Sequence, residues 1–134
     1  MLRKRSLKTG NPPDDRRRHT GVSGESFAVE VLEKNGYQIL EQNYRTSLGE
    51  IDIIAREGDV LVFVEVKSRR TGQFGSPKLA VTAKKQRKIS MVALEYLKQT
   101  RQNGEKARFD VVSIRFVPEQ PDVEIIKNAF ELAY

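Results

Sequence analysis

Glu65-Val66-Lys67 closes an apolar run, and Asp52 lies thirteen residues before it, two positions after Glu50. Carboxylates grouped with a lysine suit a hard divalent cation. Mg²⁺ is typically held by one or two carboxylates plus the phosphate oxygens of a substrate. Such an ion polarises a phosphoryl oxygen and lowers the pKa of a bound water, which is the chemistry of phosphodiester hydrolysis. Lys67, adjacent but not a ligand, would orient that water or offset charge developing on the phosphate. The chain has no cysteine, and its one histidine, His19, lies in a polar stretch. No thiolate site or Ser-His constellation therefore competes. The bland alternative is an ion pair from Lys67 to Glu65 or Glu50, which serves one acid and leaves the other poorly compensated.

The elements around these residues must bring them together. Gly49 to Arg56 and Val60 to Ser68 are rich in Ile and Val, and Gly58-Asp59 between them suits a two-residue hairpin turn. That turn sets Glu57 against Val60, Asp52 against Glu65 and Glu50 against Lys67, whereas a three-residue turn would move Asp52 off this face. Alternation then places Glu65 and Lys67 on one face with Leu61 and Phe63, and Val60, Val62, Val64 and Val66 on the other. A strand apolar on both faces is predicted to be central and buried. Two opposed carboxylates are unfavourable there unless something neutralises them.

Upstream, Ser23 is a suitable helix N-cap; Phe27, Ala28, Val31 and Leu32 recur at helical spacing, and Gly36 closes the helix. Glu25 falls in its first turn. That suits the helix dipole, and the residue also shares a face with Ala28 and Leu32 that would aim it at the sheet. Gly21-Val22-Ser23-Gly24 lacks the lysine and preceding strand of a phosphate loop. Tyr37 to Asn43 reads as a short first strand. A glycine- and proline-containing loop leads to a helix over about Val81 to Gln102, with an apolar stripe of Ile89, Val92, Ala93, Tyr96 and Leu97 and an end at Gly104. Phe109 to Val117 and Val123 to Lys127 read as strands, with a short closing turn at Asn128-Ala129-Phe130. The expected class is α/β, a mixed central sheet flanked by helices.

Charge adds a partner. Of 134 residues, 31% are charged, with a formal net charge of +6. Residues 1–20 hold seven Lys/Arg and two Asp, a balance of +5, leaving +1 for the remainder. They read as a basic, disordered tail, and residues 21–134 as a single domain. From Val66 to Leu94 there are eight basic residues and no acid. Arg69, Arg70, Lys84, Lys85, Arg87 and Lys88 in this stretch are the candidate contacts to a phosphate backbone. The charged start has no apolar run behind it, and the longest uninterrupted apolar run, Val60 to Val64, cannot cross a bilayer. A soluble cytoplasmic protein without a membrane partner is expected.

Asp52 followed after a hairpin by Glu65-x-Lys67 resembles the PD-(D/E)xK nuclease superfamily, although Ile51 stands where that motif has proline. More closely, Gly49-Glu50-Ile51-Asp52-Ile53-Ile54-Ala55, Val62-Phe63-Val64-Glu65-Val66-Lys67, Phe74-Gly75-Ser76-Pro77, Ala80-Val81-Thr82, Arg108-Phe109-Asp110-Val111-Val112 and Asn128-Ala129-Phe130 resemble the bacterial YraN-type family, similar in its core to Holliday-junction resolvases. The resemblance implies an αβββαβ restriction-endonuclease-like core and Mg²⁺- or Mn²⁺-dependent endonuclease chemistry on nucleic acid, DNA ahead of RNA, with branched DNA among the substrates. It places Glu25, Asp52, Glu65 and Lys67 at the catalytic positions, with Asp52 and Glu65 as metal ligands. Related nucleases carry a polar residue on the following helix, for which Gln86 is the candidate beside its plainer reading as surface glutamine. Related resolvases act as dimers, so a homodimer is among the expected partners. The competing reading is a non-catalytic nucleic-acid-binding module with a degenerate site.

Overall fold

A computed structural model of the chain describes residues 24–70, 81–102 and 104–132, apart from the side chain of Arg70. The tail expected over residues 1–20, the cap expected at Ser23 and the Phe74-Gly75-Ser76-Pro77 motif lie outside the described residues. The elements run α1 (Gly24–Lys34), β1 (Gln38–Thr46), β2 (Gly49–Glu57), β3 (Val60–Arg70), α2 (Ala83–Gln99), β4 (Ala107–Phe116) and β5 (Asp122–Phe130). The strands form one mixed sheet in the order β1-β2-β3-β4-β5, with β3 at its centre. Neighbours are antiparallel except β3 and β4, which are parallel and joined by the α2 crossover. This is the mixed α/β sheet that the element order predicted, and it is consistent with the restriction-endonuclease-like core that the resemblance implied.

The hairpin register is the predicted one as far as the Ile53–Val64 pair, and the expected pairs Asp52–Glu65 and Glu50–Lys67 are not part of the ladder. Glu57 pairs with Val60, and the ladder continues unbroken to Ile53 and Val64. Gly58 takes a φ of 61°, which glycine adopts without steric cost, while Asp59 is not left-handed. That is the pattern of a type II′ turn, whose twist matches the flanking strands. Alternation then divides the core. Leu61 and Phe63 join Ile51, Ile54, Ile89, Val92 and Tyr96 beneath α2. Val62 and Val64 join Ala28, Leu32, Ile53, Val112 and Ile114 beneath α1. Each fully buried side chain of this size contributes roughly 1.5–3 kcal/mol. An aromatic file (Tyr44, Tyr96, Phe63, Phe109, Phe130) crosses the α2 layer with centroid separations of 5.1, 6.0, 5.6 and 4.9 Å.

The bounds of three elements differ from expectation, each for a local reason. β1 passes through Asn43 in a left-handed conformation, φ 53°, and resumes, because Tyr44 packs edge-on against Tyr96. The second helix starts later and ends earlier than expected. Thr82 is its N-cap, accepting a hydrogen bond from the Lys85 N–H at 3.1 Å, and Val81 is instead buried in the core. At its end Gln102 N–H donates to Leu97 O and Arg101 N–H to Lys98 O, with Arg101 at φ 58°. That is a Schellman termination with arginine in the position glycine usually takes, so Gly104 belongs to the next turn. Asn128-Ala129-Phe130 is not a closing turn. Asn128 at φ 55° kinks β5, a register shift follows, and Phe130 stacks on Phe109 as part of the strand.

Candidate active site

Beyond the Ile53–Val64 pair the β2–β3 ladder changes character. The next rung would set Asp52 against Glu65, and there a side chain replaces a backbone acceptor: Asp52 Oδ2 accepts the Val66 N–H at 2.8 Å. This fixes the Asp52 carboxylate against the Glu65–Val66 peptide, one residue before Lys67. Glu65 is buried, 6% exposed, and Asp52 is half-buried beside it. Burial raises the Asp52 carboxyl above its ordinary range, and the charge of Glu50 adds to this. The Val66 N–H, Lys85 and the hydrogen bond with Glu65 oppose the rise. Burial and then the charge of Asp52 push Glu65 up to about 7, against the pull of Lys85 and Lys67. Desolvation of charged forms and repulsion between like charges are the two causes at work.

The other predicted residues distribute around this pair. Glu25, half-buried at the start of α1, has its carboxyl raised by burial and by the charges of Asp52 and Glu50, while a hydrogen bond from Asn43 and the charge of Arg45 hold it down. Its helix reaches the sheet because Gly24 packs directly against the Ser68 hydroxyl, leaving no room for a Cβ. Glu50 forms an ion pair with Arg45 across β1 at 3.2 Å. Lys67 has no described carboxylate within ion-pair distance, so the pairing of Lys67 with Glu65 or Glu50 weighed from the sequence does not form among the described residues. Its charge nonetheless acts on Glu65.

The ion pair belongs instead to Lys85, whose Nζ lies 3.6 Å from Glu65 Oε2. Lys85 was expected only as a phosphate contact. The signal for its inward role was helical spacing: it stands four residues before Ile89 and so extends the sheet-facing stripe of α2. Lys84, Arg87 and Lys88 are exposed on α2, as phosphate contacts must be. Arg69 is half-buried, with Nη2 3.5 Å from Ser113 Oγ. Gln86 is half-buried, and its Nε2 donates to Val81 O at 2.9 Å, which ties the helix start to the chain before it.

A second polar cluster, read from the sequence only as part of a motif, occupies the opposite end of the sheet. Asp110 is fully buried and accepts hydrogen bonds from Tyr37 Oη (2.8 Å), Arg108 Nε and Nη2 (both 2.9 Å) and Asn128 N–H (3.0 Å). Arg108 also reaches Glu57 at 2.6 Å, and Lys127 reaches the other Glu57 oxygen at 2.7 Å. Every acceptor is served, the usual condition for a buried charge. The signal was a lone aspartate in an otherwise apolar strand, with an arginine two residues before it on the same face.

Among the described residues no three acidic, His or Cys side chains converge as a ligand set. What the site offers a cation is a pair of carboxylates. That matches the one or two carboxylates Mg²⁺ takes from a protein when waters and phosphate oxygens complete its shell. Two acids raised by desolvation and by neighbouring carboxylates also present the donor chemistry a hard cation satisfies.

A family model described as "Uncharacterised protein family UPF0102" matches residues 24–114. A UPF0102 protein of Syntrophus aciditrophicus is 56% identical over 115 residues, covering 86% of this chain and 91% of that one. A UPF0102 protein of Geobacter metallireducens is 56% identical over 114 residues, covering 85% and 93%. Among solved structures, Pyrococcus furiosus SfsA in complex with Ca²⁺ is similar with a TM-score of 0.33 and 15% identity, covering 84% of this chain and 62% of that chain. No helix among the described residues is long and apolar enough to cross a membrane. On the match along α1 to β4 and on these full-length relatives, the chain belongs to the UPF0102 family, the YraN-type family whose motifs its sequence carries.

Proposed function

We propose that this protein is a divalent-metal-dependent endonuclease that hydrolyses phosphodiester bonds in nucleic acid, DNA ahead of RNA. The observation that carries the reading is a buried Glu65 paired with Lys85 at 3.6 Å, beside a half-buried Asp52 whose carboxylate is held by the Val66 N–H at 2.8 Å. A fold gains nothing structurally from two half-compensated acids in its sheet, and raised carboxyls with a specific charge partner are a recognised mark of a functional site. Asp52 and Glu65 are the residues that would hold Mg²⁺ or Mn²⁺. When bound, such an ion supplies polarisation of a phosphoryl oxygen and an acidified water. Lys67, two residues beyond Glu65, offsets charge developing on the phosphate. Glu25 adds negative field beside Asp52.

Substrate binding is assigned to α2. Its first turn holds no acid and begins with lysines, against the preference of a helix N-terminus for negative charge. That arrangement forgoes roughly 0.3–1 kcal/mol per charge, and it is what a polyanion would compensate. Lys84, Arg87 and Lys88 extend the basic surface outward.

Purified protein incubated with Mg²⁺ or Mn²⁺ on single-stranded, duplex and branched DNA tests the reading. Cleavage is expected, and Asp52→Asn and Lys67→Ala are each expected to lower its rate at least 100-fold, on the order of 3 kcal/mol of barrier. Equal nicking by wild type and both variants would assign the activity to a contaminant and overturn the proposal. A second reading, a nucleic-acid-binding module without turnover, is favoured by the absence of a third converging ligand among the described residues. It predicts salt-sensitive binding that survives both substitutions and no cleavage by any form.

A further inference from the structure

Lys85 has a position that substrate binding alone does not explain. It roots in the capped first turn of α2, where its N–H is held by Thr82, and its stem crosses to the sheet so that the ammonium lies 3.6 Å from Glu65 Oε2. Its charge acts on Asp52 as well as Glu65. The side chain is nevertheless 46% exposed, with Lys84, Arg87 and Lys88 on the same solvent-facing helix. A lysine ammonium is a compact point charge on a four-carbon stem with freedom to swing, unlike the planar fork of arginine. One end of its reach is the acidic pair, and the other is the basic surface of α2.

Resting on the metal-dependent reading above, we infer that Lys85 is a tethered counter-ion that yields Glu65 to a divalent cation and then engages a nucleic-acid phosphate, so that cation and polyanion load the protein cooperatively. A doubly charged ion held by Asp52 and Glu65 competes with the ammonium for the same oxygen and repels it at this separation. The released ammonium then adds one charge to the surface the phosphates contact. By linkage the polyanion must raise cation affinity by the same factor. Lys85 is thus a positioning residue that couples the two ligands.

The test uses full-length protein. Mn²⁺ affinity is measured by calorimetry at pH 8 for wild type, Lys85→Met, Lys85→Gln and Lys85→Arg. Affinity for a short DNA duplex is measured by fluorescence anisotropy with and without Ca²⁺, relative to Asp52→Asn, in which added cation only screens the polyanion. Both neutral variants are expected to bind Mn²⁺ about tenfold more tightly than wild type, and Lys85→Arg to remain within about threefold of it. Ca²⁺ is expected to strengthen duplex binding by wild type about tenfold over the Asp52→Asn baseline, and to leave the neutral variants at that baseline, within the usual range of coupling. Equal Mn²⁺ affinity in wild type and neutral variants, or equal Ca²⁺ enhancement of DNA binding, overturns the counter-ion role and leaves the metal reading standing. Absence of Mn²⁺ uptake by wild type and every Lys85 variant instead overturns the metal reading, and this inference with it.

Discussion

Replacing Glu65 by glutamine should stabilise the protein at alkaline pH, and the amount follows from the site. Burial and the neighbouring Asp52 hold the Glu65 carboxyl at about 7, against an ordinary value of 4.5. Ionising it in the folded state therefore costs about 3 kcal/mol more than in the unfolded chain. Between pH 4.5 and 7 the folded protein binds the extra proton, so stability contributed by this group falls as pH rises through that window and stays low above it. Asp52 and Glu25, also raised, act in the same direction. Glu65→Gln removes the Glu65 part. Its stability relative to wild type should rise across pH 4.5–7 and reach about 3 kcal/mol by pH 8, on the order of 10 °C in melting temperature for a domain of this size. Urea denaturation of both proteins at several pH values without divalent ions measures the difference directly. A difference flat with pH, or a variant less stable than wild type at pH 8, would refute the claim that Glu65 is a desolvated acid held at a cost to the fold.

Two further predictions concern the opposite end of the sheet. Asp110→Ala leaves the Tyr37 hydroxyl and the Asn128 N–H without their acceptor and Arg108 with Glu57 and the Tyr37 oxygen only, and should cost about 3–5 kcal/mol. Tyr37→Phe should cost about 1 kcal/mol. The double variant should fall short of additivity by about 1 kcal/mol in urea denaturation, and strict additivity would mean that the two groups do not interact. At Asn128, φ 55° is a left-handed conformation, so Asn128→Gly should be nearly neutral and Asn128→Val should lose about 1–2 kcal/mol in thermal melts. Equal losses would locate the role of Asn128 in its side chain rather than its backbone.

What could be read from the residues depended on how local the controlling physics is. Gly58-Asp59 fixes the hairpin register because a two-residue turn leaves no freedom in pairing, so the approach of Asp52 to Glu65 was legible within one short stretch. The central position of β3 was legible because both of its faces are apolar. Helical spacing marks Lys85 as sheet-facing, but its partner does not follow from that spacing, because the Lys85–Glu65 contact joins residues twenty apart across a crossover. The Asp110 cluster joins residues up to 73 apart and required knowing that β4 lies parallel to β3. Asn43 and Asn128 misled in the same way. Each looked like the end of a strand, yet asparagine tolerates left-handed backbone, and Tyr44 and Phe130 beyond them still had aromatic partners to reach.

The hydrogen bond from the Val66 N–H to Asp52 has a consequence for observation. That peptide group joins Glu65 to Val66, one residue before Lys67, and its hydrogen ends on a carboxylate rather than a carbonyl. Its amide proton is therefore a built-in reporter, whose NMR frequency and exchange with solvent register the charge on Asp52. Titration of the acids, arrival of a cation and withdrawal of Lys85 would each shift this one resonance, making occupancy of the site readable at a single backbone atom before any substrate is cut.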